Sequence, residues 1–443
     1  MARKVFISFL GTNNYLDTHY ELGGRQSSLV RFIQEALLEL AFNDWTADDH
    51  IYIFGTDGDE GSYKKNWLDN GQSDKNGPII QPGLKTQLTN MGLKTPFDFE
   101  FIPEGFSSDD VWKMMEIITG KLEQGDEIHL DVTHAFRSIP MLATTLFNYT
   151  QFMLGTTLAS VHYGAFEKLG PRYKVEKIPE EDRIAPIIDM TDIVRLQDFT
   201  DAASSLTEFG RIKKIGEHLS NQSSFGKKIQ GWLKEIKIQI SRLDDYITTC
   251  RLADIRKGKY MSEITHYSQM VKCNANTPGM VVMMLDKLLQ ELEQFKPCEC
   301  DANIEAAIGW TRKYDMLPQS YTLAREYVLY CIANQFAEHK PAGYDEKDFR
   351  EYISGILSIS DQDIEADNIK GNLSTHIELT RQLLNNSTIR RLRKPYWDLG
   401  DARNTINHAK GDVKADKLRK RLVSYDQCIE IIKEESNHGS KED

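Results

Sequence analysis

The 443-residue chain contains no apolar run near the ~20 residues that a membrane-spanning helix needs. A helical membrane protein is therefore excluded, and no membrane partner is expected. Cysteine is sparse. Cys250, Cys273, Cys298, Cys300, Cys331 and Cys428 form no paired CxxC, and Cys298-Glu299-Cys300 lacks the partner ligands of a zinc site. Scattered thiols suit a reducing compartment better than a disulfide framework. Both glycine signatures of common nucleotide enzymes are missing. No G-x-G-x-x-G follows a strand pattern and no G-x-x-x-x-G-K-[ST] occurs, so dinucleotide-dependent dehydrogenases and P-loop enzymes lose ground. An overall positive charge is missing too. With 54 Lys plus Arg against 66 Asp plus Glu, the net charge is −12, which argues against coating nucleic acid with the whole surface. No internal repeat or low-complexity tract is present.

What remains is ordinary globular composition, 40% hydrophobic and 27% charged. The length calls for two or three domains. The N-terminus, Met1-Ala2-Arg3-Lys4 followed by Val5–Leu10, begins basic then apolar, but it runs into Gly11-Thr12-Asn13-Asn14 with no small-residue cleavage site. A buried first strand and a cytoplasmic protein are the expectation. Six strand patterns occupy Val5–Leu10, Ile51–Phe54, Phe97–Ile102, Glu127–Val132, Leu158–Tyr163 and Ala185–Asp189. Helical periodicity lies between them at Ser27–Ala41, Asp109–Leu122 and Pro140–Leu154. This alternation predicts an α/β N-terminal domain with a Rossmann-like, mostly parallel sheet over 1–192. Beyond it strand patterns fade and amphipathic helices take over, at Ile212–Leu219, Ile229–Ile247, Met280–Phe295, Tyr321–Phe336 and Ile377–Leu384. An all-α C-terminal region is predicted, divided into a helical middle at 193–310 and a helical domain at 311–443.

The sharpest pattern in the helical half is Arg403-Asn404-Thr405-Ile406-Asn407-His408. At about 100° per residue, Asn404 and His408 share a helix face and Arg403 sits one step around. RNA cleavage by its own 2′-hydroxyl needs little more than such a set. A histidine moves a proton near neutral pH, and an arginine holds the phosphate and offsets transition-state charge. No metal and no cofactor is required for that chemistry. From Arg381 to Arg421, 12 Lys plus Arg stand against 4 Asp plus Glu, a local basic excess of the kind RNA phosphates attract. Arg390, Arg391, Arg393 and Lys394 lead into the motif, with Tyr396 and Trp397 as candidate base-stacking surfaces. The plainer reading is a solvated helix face.

In open α/β sheets, ligands bind beyond the carboxyl ends of the strands. The first strand runs into Gly11, Thr12, Asn13 and Asn14. The second runs into Gly55-Thr56-Asp57-Gly58, and the fourth into Thr133-His134-Ala135-Phe136-Arg137-Ser138. Thr133, His134 and Arg137, with the free N–H groups of a helix starting near Ser138, would suit phosphate or ribose. Equally, Thr133 and Ser138 could merely cap that helix.

Taken together, the N-terminal half resembles the CARF domains of type III CRISPR systems, through Gly11-Thr12-Asn13 and Thr133-His134-x-x-Arg137. The motif at Arg403, Asn404 and His408 resembles that of HEPN ribonucleases. Ala135 stands where CARF loops commonly carry glycine. The order of the two matches the CARF–HEPN ribonucleases. That resemblance implies a homodimer, with assembly beyond the dimer left open. It implies a cyclic oligoadenylate activator, cyclic tetra-adenylate ahead of cyclic hexa-adenylate, bound by Gly11–Asn14, Asp57, Gly58 and Thr133–Ser138. Single-stranded RNA would be the substrate, cut at a composite site of two motif copies. A non-catalytic nucleotide-sensing regulator whose helical half grips nucleic acid is the alternative.

Overall fold

The structure is a computed structural model that describes residues 2–74, 77–134, 139–214, 226–408 and 413–439, without the side chains of 71–80, 139–144, 194–200 and 436–439. Two compact units divide the chain, Met1–Gln197 and Asp198–Asp443. Among the described residues no helix is long and apolar enough to cross a membrane.

The first unit is α/β, as expected. Its strands are β1 (Lys4–Phe9), β2 (His19–Leu22), β3 (Arg25–Gln26), β4 (His50–Gly55), β5 (Asn70–Asp74), β6 (Gly77–Gln81), β7 (Phe97–Phe101), β8 (Glu127–Asp131), β9 (Thr157–Gly164) and β10 (Ile184–Asp189). Eight of them form one sheet in the order β3-β2-β10-β9-β8-β1-β4-β7, while β5 and β6 pair separately. The stretch β9-β8-β1-β4-β7 is parallel; β10 runs antiparallel to β9. Strands covered on both faces read as continuous apolar runs, and alternate side chains of Val5–Phe9 and Ile51–Phe54 enter two cores. Phe6, Ile51 and Ile53 pack with Ile33, Ala36 and Leu37 of α1 (Ile33–Leu40). Val5, Ile7, Phe9, Tyr52 and Phe54 pack with Met114 and Ile118 of α2 (Ser108–Thr119) and with Leu146 and Phe147 of α3 (Ile139–Leu154). Each fully buried side chain of this size contributes roughly 1.5–3 kcal/mol.

The expected helix at Ser27–Ala41 starts late. Val30 bridges Thr18 as extended chain, and helix begins only at Ile33, where Glu35 turns back to accept the Phe32 N–H at 3.0 Å. Strands β2, β3, β5 and β6 were not expected. They are two to five residues long, too short for a clear alternation to mark them; neighbouring backbone supplies the pairing instead.

The second unit is helical throughout its described residues. A buried helix, Leu317–Gln335, touches Ala302–Lys313, Glu346–Ser358, Ser387–Asn407 and Val423–Gly439. Tyr321 is fully buried on it and donates its hydroxyl to the Leu418 carbonyl at 2.6 Å. Of the expected helix Ile212–Leu219, the residues past 214 lie outside the described ones.

Three buried titratable groups tie the sheet unit's stability to pH. His129 sits 5.0 Å from the rings of both Phe42 and Trp45, and burial with the nearby His162 pushes its imidazole down to about 4. Burial lowers His162 as well. Glu35 goes the other way, pushed up by burial to about 7. Between pH 6.5 and 4 the unfolded chain protonates histidines that the folded chain keeps neutral, so stability falls on acidification. His129 alone supplies on the order of 3 kcal/mol of this loss. Glu35 opposes it, because its contribution is full below 4.5 and is lost as pH rises through 7. In calorimetric scans from pH 7 to 4, the sheet unit's melting temperature is expected to fall more steeply in Glu35→Gln than in the unaltered chain. An equal or shallower fall would contradict the opposition.

Candidate functional site

Strands β4 and β7 lie on one side of β1, and β8 and β9 on the other. The chain reverses direction across the sheet between β1 and β8, and the loops after these two strands flank the crevice there. A buried polar chain ties the strand ends together. Gln34 of α1 donates to Ser8 Oγ (2.9 Å), and Ser8 Oγ donates to Asp131 Oδ2 (2.7 Å). Asp131 Oδ1 accepts from the Thr133 N–H (2.9 Å) and the Thr133 hydroxyl (2.5 Å). Thr133 Oγ1 then accepts from Gly164 N–H at 2.8 Å. Burial pushes the Asp131 carboxyl up while these donors pull it back. Thr133 is thus committed to the strand ends.

A cleft of about 540 Å³ opens among Asn13, Asn14, Tyr15, Arg31, His134 and Arg172, with Leu16, Tyr20 and Phe166 as its apolar wall. The Tyr15 and His134 rings lie 4.4 Å apart, and Tyr15 Oη is buried beside Gly11, its proton without an acceptor among the described residues. Burial holds His134 down to about 4, so it is a neutral ring at pH 7. Gly11 leaves room that a side chain would fill, since a Cβ there would meet Tyr15 Oη at 2.6 Å. Asn66, on a π-helical turn at Tyr63–Trp67, donates to the Gly11 and Asn13 carbonyls at 2.8 and 2.9 Å, and so pins the first loop to the second. Arg172 donates to the Asn14 carbonyl from the opposite side.

The expected residues distribute unevenly. Asn13, Asn14 and His134 line the cleft; Gly11 shapes it through its carbonyl and its missing Cβ. Thr12 is exposed beside it. Asp57 and Gly58 stand on an exposed turn outside the lining, a turn closed by the exchange between Thr56 and Ser62 (Thr56 N–H to Ser62 Oγ, 3.0 Å). Arg137 and Ser138 lie outside the described residues. Sequence reasoning missed Tyr15, Arg31, Asn66 and Arg172. Only Arg31 carried a signal, as a lone charge within the apolar stretch Leu29–Ile33.

In the second unit the motif sits at the end of Ser387–Asn407, a helix opened by Asn386, which accepts from the Thr388 and Ile389 N–H groups. Ile389, Leu392, Tyr396, Leu399 and Ala402 bury one face. Arg403 borders that face, half-buried, its Nε without a hydrogen-bond partner among the described residues. Asn404 and His408 are exposed, and the His408 N–H caps the helix on the Asn404 carbonyl at 2.9 Å. Arg403 and Asn404 line a cleft of about 240 Å³ with Arg325, Trp397, Gly400 and Asp401. Tyr396 is no stacking surface, because it is buried and its hydroxyl lies 3.1 Å from Ser354 Oγ beneath Arg325. Trp397 is half-exposed. The basic run is largely partnered: Arg391 with Glu434 (2.6 Å), Arg393 with Asp361 (2.8 Å), Lys394 with Asp398 (3.0 Å), and Arg390 with the Asn385 side chain (2.7 Å).

No protein-family model matches the chain. Over 262 residues it is 23% identical to a CRISPR-associated protein of Methanocaldococcus jannaschii, a match taking in 58% of this chain and 37% of that protein. This chain is a relative of a CRISPR-associated protein. It therefore corresponds to little more than a third of that relative's length. Among solved structures, Enterococcus italicus Csm6 bound to cyclic hexa-2'-fluoro-hexa-dAMP aligns over 98% of this chain and 94% of its own, at 12% identity and a TM-score of 0.43. So loose a superposition fixes neither residue correspondence nor function. The CRISPR relationship read from the two motifs agrees with the sequence match.

The commitment of Thr133 separates two roles. Thr133→Val removes one of the two donors to Asp131 Oδ1 and the acceptor for Gly164 N–H, leaving the buried Gly164 N–H unpaired. A loss of about 1–3 kcal/mol in unfolding free energy is expected, read by urea titration without any ligand. Unchanged stability would return Thr133 to the ligand-binding set.

Proposed function

We propose that this protein is a CRISPR-associated, metal-independent endoribonuclease of the cytoplasm, switched on by a cyclic oligoadenylate bound at its N-terminal unit. The observation that carries the reading is the placement of Arg403, Asn404 and His408 at one helix end. The arginine is half-buried beside a cleft, and the amide and imidazole face solvent. Similarity to a CRISPR-associated protein supports the biological setting.

The chemistry follows from the residue types. Arg403 would hold the scissile phosphate and offset its growing charge, with Nε as a donor that has no partner among the described residues. Asn404 would orient the same group. His408 would take the proton of the 2′-hydroxyl or deliver one to the leaving 5′-oxygen. The products would carry a 2′,3′-cyclic phosphate. A single helix end supplies one arginine and one imidazole, so a second copy of the motif from a homodimer partner would complete an acid–base pair. In the N-terminal unit, the cleft at the β1/β8 switch point would take the activator, cyclic tetra-adenylate ahead of cyclic hexa-adenylate. A ligand shifts the balance between states only through its unequal affinity for them, so the cutting form must bind the activator more tightly.

Cleavage of labelled single-stranded RNA, in EDTA and with either ring, tests the whole reading. Activator-dependent cutting is expected, falling about 100- to 10,000-fold in His408→Ala. Cutting that needs no activator would remove the switch. Ring binding without any new 2′,3′-cyclic ends would favour a non-catalytic regulator instead.

A further inference from the structure

Arg31 is the most anomalous charge in the N-terminal unit. It follows Val30 in the extended segment before α1, is 8% exposed, and reaches the wall of the cleft. A guanidinium offers five N–H donors, yet few are used. One terminal nitrogen donates to the Pro82 carbonyl at 3.3 Å and the other to Asn66 Oδ1 at 3.4 Å, both long, and Nε has no partner among the described residues. Its face rests on the Phe32 ring at 5.2 Å. No carboxylate lies within ion-pair distance of it among the described residues. Asp17 and Glu35 act on it only at longer range, and Glu35 accepts the Phe32 N–H and is held partly protonated near pH 7. A buried charge without a counter-ion destabilises a fold.

We infer that Arg31 is an anion anchor of this cleft, and that a phosphodiester group of the incoming ligand supplies the missing counter-charge. Arg172, itself paired with Glu176 at 2.7 Å, brings a second guanidinium to the same wall, and the Tyr15 hydroxyl, whose proton has no acceptor among the described residues, adds a neutral donor. Two cations and a donor around about 540 Å³ exceed what a lone carboxylate needs. The apolar face of Leu16, Tyr20 and Phe166 suits the base attached to such a phosphate. Burial lowers the Arg31 pKa without discharging it, since guanidinium stays protonated far above neutral pH. Asn66 links the anchor to the loop. The side chain that accepts from Arg31 also holds the Gly11 and Asn13 carbonyls, so an anion drawing on Arg31 acts directly on the residue that pins the β1 loop.

The identity of the ligand rests on the proposed function; the anion chemistry rests on the geometry alone. The test compares the full chain with Arg31→Met, which keeps an apolar stem, and Arg31→Lys, which keeps the charge without the fork. Calorimetric titration with cyclic tetra-adenylate and cyclic hexa-adenylate is run beside thermal melts with and without inorganic pyrophosphate. Ring affinity is expected to fall roughly 10- to 100-fold in Arg31→Met and less in Arg31→Lys. Without any anion, Arg31→Met should melt no lower than the unaltered chain, because the orphaned charge is gone. A purely structural arginine gives the opposite pattern, a lower melting temperature with ring affinity kept, and that overturns the inference. If neither ring binds the unaltered chain but pyrophosphate raises its melting temperature and not that of Arg31→Met, the anchor stands and the oligoadenylate reading falls. If a ring binds both chains equally, the anchor falls and the sensor reading survives.

Discussion

The buried carboxylate of Asp131 is the constraint around which the N-terminal unit is arranged. It sits fully buried at the carboxyl end of β8, opposite Ser8 of β1, where every polar atom must find a partner. Ser8 and Thr133 provide the partners, Gln34 extends the chain to α1, and Gly164 extends it to β9. Three neighbouring strands and one helix are thereby locked at the edge where the loops depart. The cleft inherits its rigidity from this. The loop after β1 leaves from a fixed strand end and is pinned again by Asn66, while His134 follows Thr133 by one residue.

The helical unit solves a different problem. Its motif needs one residue half-sheltered and two exposed, and the last turn of a long amphipathic helix supplies both. The buried stripe through Leu392, Tyr396, Leu399 and Ala402 sets the rotation, so Arg403 falls on the border and Asn404 and His408 face outward. The basic run before the motif contributes less free charge than its composition suggests. Arg391, Arg393 and Lys394 are each held by an acid from this or a neighbouring element, which leaves Arg403 and Trp397 as the clearer candidates for meeting RNA.

The fold class was legible because its signals are local. Apolar runs such as Val5–Phe9 and Ile51–Phe54 can be satisfied only as strands covered on both faces, and the long periodic stretches after residue 200 only as packed helices. The short strands β2 and β5 were not legible, since pairing, not side-chain pattern, makes them strands. For the same reason the helix expected from Ser27 starts at Ile33: extended pairing of Val30 with Thr18 overrides helical periodicity.

The sequence alone determined that the chain is α/β then helical, that the loops after β1 and β8 flank the crevice, and that Arg403, Asn404 and His408 lie close together on one helix. Those properties depend on residue spacing along one element. Only the tertiary structure decided what each loop residue does. It turned Thr133 inward to Asp131, left Asp57 and Gly58 on an outer turn, buried Tyr396, and brought Arg31, Asn66 and Arg172 to the cleft from distant parts of the chain. Burial and hydrogen-bond partnership are set by neighbours far away in sequence, and no local pattern encodes them.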